Sequence, residues 1–428
     1  MTADHIAVNR MVVKMSVPTP NKIFPVYEVG SLPKLGARVK ALRGEPVTKE
    51  NLHEFLFFAR KAGVESEPII RNTKKILRNF RVPSKKPTDY ERGQIISANA
   101  LINLGLQKNS GLDFFYDGEA RRNEMYSHVA QCIKGFEPLP EMIRSRAADS
   151  WRCAVCVSEP QLNTWALRKL VLTEFEFNHI FTGGSCLKVP INDPYMMAVM
   201  SDNRHYLSTI SSLFSSSLSS RSPTEIRYEA KRQLTLALAK NVVRPQVEAL
   251  ISTGAKWIQL DAPAATLDLG HLPIFVEGIN AVVAGLAGVK FSIHLCYPRR
   301  VSLTDKRGYE LLFPHILKLD PQVNHLSLEL ANADSYATDL APLVPKHAGR
   351  RFEIGLGVLD VTAERERNKK IETPELVRDR ILLATEILDD ANLVWPAPDC
   401  GLRQLSLERA VKLYEILVEG AKMARKVI

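Results

Sequence analysis

The chain has 428 residues, 45% of them apolar, and 57 Lys or Arg against 47 Asp or Glu give it a formal net charge of +10. That is enough chain to bury a core in one unit, while its longest apolar stretch, Ala281 to Val289, is far too short to span a bilayer. The N-terminal run MTADHIAVNRMVVKM holds no signal-peptide block, so a cytoplasmic protein is the default expectation. The six cysteines, scattered from Cys132 to Cys400, form no disulfide framework.

The first strand-like run is PVYEVGS at 25–31, after an N-terminal extension of residues 1–24. The stretch Pro68 to Lys86 is rich in Lys and Arg and has no acid. It reads as a solvated face or as a dock for an acidic protein or phosphate-bearing ligand. A second strand, DFFYDGE, is expected at 113–119. The runs WRCAVCVSE at 151–159 and LVLTEFEF at 170–177 are expected to form a β-hairpin excursion, and NHIFTGG at 178–184 a third strand. Ser208 to Pro223 reads as a mobile, Ser-rich surface loop.

Further strands are expected at 256–263 (KWIQLDAP), 290–297 (KFSIHLCY), 324–331 (NHLSLELA), 351–358 (RFEIGLGV) and 392–401 (NLVWPAPDCG). Thr373 is the expected N-cap of a helix that has Pro374 at its first position. A terminal run, SLERAVKLYEILVEGAKMARKVI, keeps its apolar residues on one helical face. Eight strands separated mostly by helices predict an α/β (β/α)8 barrel as a single domain over residues 25–428. An open doubly wound sheet is the alternative.

Strand side chains alternate between faces. Ser292, His294 and Cys296 therefore share one face, Gln259 and Asp261 another, and Asp117 and Glu119 a third, while Glu329 opposes Leu328 and Leu330. Each set sits near the C-terminal end of its strand, which in a barrel is the active-site mouth. His-x-Cys on a strand projects imidazole and thiolate in parallel, a donor pair that suits Zn²⁺. Cys400 in the PDCG turn and the carboxylate of Glu329 complete a candidate ligand set. The pair Cys153 and Cys156 has no second Cys-x-x-Cys and reads as buried structural cysteine. Gly355 and Gly357 read as tight packing at a strand end rather than a dinucleotide fingerprint.

In this order and spacing, VGSLP (29–33), GLDFFYDGEARRNEM (111–125), IQLDAPA (258–264), HLCY (294–297), LSLELANAD (326–334), GLGVLD (355–360) and PDCGL (398–402) resemble the catalytic C-terminal half of cobalamin-independent methionine synthase. The resemblance runs from about Pro25 to the C-terminal helix. It implies a zinc-containing TIM barrel that methylates homocysteine to methionine. It maps zinc ligands onto His294, Cys296, Glu329 and Cys400, with His294, Cys296 and Cys400 as the catalytic set. Gly30 and Ser31 would hold the homocysteine carboxylate, and Glu119 and Asp261 its ammonium group.

Three positions depart from the family pattern. Ala262 replaces an acid, Leu267 replaces a folate-binding glutamate, and Thr362 replaces a proton-donating histidine. The family's long N-terminal half is also missing, so the chain is similar to the short core methionine synthases. These departures lead to the expectation of a methylcorrinoid, free or protein-bound, as methyl donor. Two other readings compete: a zinc enzyme for another thiol such as coenzyme M, and a non-catalytic barrel that binds partners through its basic stretch. No nucleic acid or membrane partner is expected.

Overall fold

The computed structural model describes residues 22–81, 86–122, 124–146, 149–215, 222–297, 308–331, 333, 335–361 and 372–428. Its strands are β1 (Lys134–Arg146), β2 (Asp149–Gln161), β3 (Lys188–Asn192), β4 (Asp202–Asn203), β5 (Trp257–Asp261), β6 (Lys290–Leu295), β7 (Val323–Leu328), β8 (Glu353–Leu359) and β9 (Val394–Pro398). Six of them form one sheet in the order β3-β5-β6-β7-β8-β9. Every neighbouring pair in it is parallel. Parallel neighbours need crossovers, and helices Leu272–Val283 and Pro374–Leu388 supply two of them. The fold is α/β with a parallel sheet.

Two short segments extend this sheet through single parallel bridges, Tyr27 to Phe114 and Phe115 to Leu187. The Tyr27 amide also donates to the Pro396 carbonyl of β9 at 3.3 Å, and the Lys188 amide of β3 donates to the Phe115 carbonyl at 3.1 Å. Among the described residues the regular ladder thus has six strands, where the sequence pattern predicts eight.

Strand alternation divides the core. Ile258, Leu260, Phe291, Ile293, Leu326, Leu328, Ile354 and Leu356 pack into the main apolar cluster. The opposite face carries rings and polar groups: Trp257 and Trp395 have centroids 5.4 Å apart, and His325 lies 5.2 Å from Trp257. Two of the ring-bearing residues here satisfy their polar atoms through serine hydroxyls. Trp257 Nε1 donates to Ser292 Oγ at 2.8 Å, and the Tyr27 hydroxyl donates to Ser327 Oγ at 2.8 Å. Gly355 must lack a side chain, because a Cβ there would lie 1.9 Å from the Tyr27 hydroxyl. The tight packing read from Gly355 and Gly357 is what the strands show.

Several elements differ from the sequence expectation. Residues 170–184 are not strand. A π-helical turn, Arg168–Leu172, runs into helix Thr173–Thr182, which Gly183 closes in the left-handed region. Leu170, Val171, Glu174, Phe175 and Asn178 are buried at helical spacing, so period 3.6 prevails over β-branched content. The third strand is β3 instead, five buried residues whose Lys188 and Pro190 disguise it. The hairpin exists, but β2 pairs antiparallel with the preceding β1. The ladder shifts register between Pro138 and Ile143, where prolines remove donors.

The Ser-rich segment begins as helix Arg204–Ser215, in which Ser211 and Ser212 donate to the carbonyls of Leu207 and Ser208. Ser222 caps the next helix, Pro223–Leu238, and residues 216–221 lie outside the described ones. Within the basic stretch Pro68 to Lys86, residues 68–78 form helix Pro68–Arg78, with Ile70, Thr73 and Leu77 buried and Arg71, Lys75 and Arg78 on an exposed face, and residues 82–85 lie outside the described ones. Cys153 and Cys156 are buried and are in no disulfide, and the Cys153 thiol donates to the Met200 carbonyl at 3.6 Å. Among the described residues, no helix is long and apolar enough to cross a membrane.

Candidate metal centre and substrate cavity

Four side chains converge where the parallel strands end. His294 is the penultimate residue of β6, Cys296 follows its end, Glu329 follows β7, and Cys400 lies two residues past β9. One ligand atom from each lies within 4.8 Å of all the others. His294 Nε2 stands 3.9 Å from Cys296 Sγ and 3.6 Å from Cys400 Sγ. Metal bonds of about 2.1 Å to nitrogen and 2.3 Å to sulfur put tetrahedral N···S pairs roughly 3.6 Å apart. The residues therefore fit a metal ion with little movement, and an imidazole, two thiolates and a carboxylate suit zinc.

The electrostatics agree with a ligand set. Burial lowers the His294 pKa, but Cys400, Asp261 and Glu329 outweigh it and push the imidazole up to about 9. Cys400 is held well below the usual thiol range, because Cys296 donates a hydrogen bond to it and His294 lies beside it. Cys296 keeps the shared proton and moves the other way. Such a cluster of concentrated negative charge is stabilised by a cation.

The turn that carries Cys400 is fastened to the end of β7. Asp399 Oδ1 accepts from the amides of Leu330 and Ala331, both at 2.9 Å. A Cβ at Gly357 would lie 2.3 Å from that oxygen. The Glu329 carboxylate accepts from the Tyr297 amide at 3.2 Å.

Gly30, Ser31, Glu119, Asp261, His294, Cys296 and Cys400 line one cavity of about 180 Å³. The structure thus brings every site residue named from the sequence to one place, with Glu329 just behind the wall. Glu119 arrives by a route that strand parity does not describe. The second strand-like run stops short, and Gly118 (φ 64°) and Glu119 (φ 55°) are both left-handed, which separates Glu119 from Asp117. Asp117 is fully buried and does not line the cavity.

Asp261 accepts from Gln259 Nε2 at 2.7 Å, and burial followed by the nearby Glu119 pushes its pKa up to about 6. The loop holding Gly30 and Ser31 abuts the PDCG turn, since a Cβ at Gly401 would lie 2.8 Å from Ser31 Oγ. Lys34, Arg122, Glu124 and Arg403 also line the cavity and were not singled out from the sequence. Arg122 Nη1 stands 3.8 Å from Glu119 Oε1, and its Nη2 donates to Glu174 at 3.0 Å and to the Pro190 carbonyl at 2.7 Å. The RRNEM run that carries Arg122 and Glu124 was the available signal.

With the geometry in place, the relatives are informative. Residues 221–423 match the family described as "Cobalamin-independent synthase, Catalytic domain". The methionine synthase of Sulfurisphaera tokodaii is 29% identical over 317 residues, covering 74% of this chain and 78% of the relative. That of Thermococcus kodakarensis is 28% identical over 348 residues, covering 81% and 88%. The fold is that of a B12-independent methionine synthase from a Shewanella species, solved with selenomethionine, at a TM-score of 0.66 and 19% identity over 95% of this chain and 98% of that one.

These matches overturn the methylcorrinoid, or corrinoid protein, expected as donor, because the family is cobalamin-independent. The residues behind that expectation do not report on the cavity. Ala262 is buried in the main apolar cluster and Leu267 packs against it, while Thr362 lies outside the described residues. The chain is similar to the cobalamin-independent methionine synthases, and these matches support a methyltransferase.

Proposed function

We propose that this chain is a zinc-dependent homocysteine S-methyltransferase that forms methionine, with methyl-tetrahydrofolate as donor, on a single (β/α)8 barrel domain over residues 25–428. The observation that carries this reading is that three members of a four-residue metal-ligand set line one cavity with two carboxylates suited to an amino-acid cation. The bridges through Tyr27 and Phe115 support eight staves. The match to the cobalamin-independent family supports a folate donor over a corrinoid one.

His294, Cys296, Glu329 and Cys400 would hold the zinc. When bound, it supplies a positive charge that lets a substrate thiol deprotonate near neutral pH. Ser31 and the Gly30 backbone hold the substrate carboxylate, and Glu119 and Asp261 hold its ammonium group through charge-assisted hydrogen bonds. With its pKa near 6, Asp261 is mostly ionised at neutral pH. The cavity fixes the thiol sulfur against the donor methyl and limits water. The sulfur–carbon bond forms as the nitrogen–carbon bond of the donor breaks, and the departing nitrogen takes a proton. A thiol lacking an ammonium group, such as coenzyme M, would leave both carboxylates unused.

The test is to incubate zinc-loaded protein with homocysteine and either methyl-tetrahydrofolate or methylcobalamin, and to measure methionine. Methionine from the folate is expected. Turnover with methylcobalamin alone, or with neither donor, overturns the proposal.

A further inference from the structure

The strands that carry two of the four ligands part at an inserted hydroxyl. The parallel pairing of β6 with β7 ends at Leu295 opposite Leu328. In a parallel ladder the next bond runs from the Glu329 amide to the Leu295 carbonyl. The Tyr309 hydroxyl occupies that path. It accepts from the Glu329 amide at 2.8 Å and donates to the Leu295 carbonyl at 2.7 Å. A single backbone bond of about 2.9 Å is thus replaced by two bonds in series, at the residues immediately before Cys296 and at Glu329 itself.

Tyr309 is firmly held. It is 1% exposed. Its amide donates to the Asp339 carboxylate, which also accepts from the Tyr297 hydroxyl at 3.1 Å. The Tyr297 and Tyr309 rings meet edge-on at 5.3 Å. The Tyr297 amide in turn donates to the Glu329 carboxylate. Both the backbone and the side chain of Glu329 are therefore set by one aromatic pair.

We propose that Tyr309 is a positioning residue of the metal centre, whose hydroxyl wedges β6 and β7 apart so that Cys296 and Glu329 are spaced to share one ion. This rests on the zinc reading above. Without the hydroxyl, the Glu329 amide closes directly on the Leu295 carbonyl, and the two ligands lose their spacing.

The experiment compares zinc affinity, by chelator competition, in the wild type, Tyr309→Phe and Tyr126→Phe. Tyr126 is the matched control: its buried hydroxyl also makes two hydrogen bonds, to Ser201 Oγ and from the Ala154 amide, with no metal-ligand partner. Tyr309→Phe is expected to weaken zinc binding about 10–100-fold, the usual effect of losing a partner that orients a ligand. It should also change the visible spectrum of the cobalt-substituted protein, and Tyr126→Phe should do neither. Unchanged affinity in Tyr309→Phe overturns the proposal, and so does an equal loss in both variants, which would mark a general packing effect. If Tyr309→Phe does not fold, Asp339→Asn loosens the Tyr309 backbone while keeping the hydroxyl, and unchanged zinc affinity there overturns it. Wild-type protein that binds no zinc is a separate result, and it removes the metal reading itself before any variant is compared.

Discussion

Cys400 Sγ lies 3.6 Å from His294 Nε2 across 106 residues of chain. The contact joins the end of β9 to the end of β6, with β7 and β8 between them in the sheet. A pair so distant in sequence holds its spacing only through the strands beneath it, so ion binding and folding are linked.

That linkage predicts a stability response. With free zinc about 100-fold above its Kd, binding adds roughly 2.7 kcal/mol to the folded state. The wild-type Tm should therefore rise with zinc and fall with chelator, and Cys400→Ser should lose most of this response. Cys186→Ser, outside the cluster, should keep it. Thermal unfolding with and without zinc provides the comparison, and a response retained by Cys400→Ser contradicts the assignment.

Glu119→Gln and Asp261→Asn each remove one charged partner of the substrate ammonium group. A hydrogen bond to a charged group contributes about 1.5–3 kcal/mol, so the KM for homocysteine should rise about 10–100-fold in each. Bound zinc should stay at the wild-type level. Steady-state kinetics with metal analysis separates the two roles, and a KM unchanged in both variants argues for a different thiol.

Gly357→Ala should be damaging where Gly93→Ala is not. A Cβ at Gly357 meets Asp399 Oδ1 at 2.3 Å and the Leu328 carbonyl at 2.5 Å. The clash falls on rigid groups of the metal-bearing turn, so a loss of about 1–3 kcal/mol is expected, together with weaker zinc binding. At Gly93, inside helix Asp89–Ser110, nothing lies within 4 Å. Alanine there should stabilise by up to about 1 kcal/mol through helix propensity. Denaturant titration of both variants tests the contrast.

His128 predicts an acid-side loss of stability. Burial, then Arg122 and Lys169, lowers its pKa from 6.5 to about 4. Between these values the unfolded chain binds more protons than the folded one, so stability falls as pH drops from about 6.5 towards 4. The contribution amounts to about 3 kcal/mol at most, from 1.36 kcal/mol per pKa unit. Urea midpoints of the wild type should fall faster across this window than those of His128→Gln. Parallel curves would remove the effect.

Much of the site was legible because its signals are local. Two-residue alternation alone put His294 and Cys296 on one face, and Thr373 caps its helix as its position before Pro374 indicates, accepting from the Leu376 amide. Periodicity fails where burial is unusual. β3 hides a Lys at 0% exposure, whose ammonium donates to the Val29 carbonyl and Gln259 Oε1. The strand signal there is only five residues long. Residues 173–182 alternate like a strand, yet form a helix because their buried side chains repeat every three or four positions.

The sequence by itself determined the donor chemistry: which residues offer imidazole, thiolate and carboxylate, and that strands aim several of them in a common direction. The three-dimensional packing decided which of them meet. Glu119 reaches the cavity through two left-handed residues instead of by alternation, Asp117 does not reach it, and the Tyr309 hydroxyl stands between the Leu295 carbonyl and the Glu329 amide. The physical reason is range. Alternation and caps are set by neighbours a few residues away, whereas the distance between two strand ends is set by the ladder and by the side chains inserted into it.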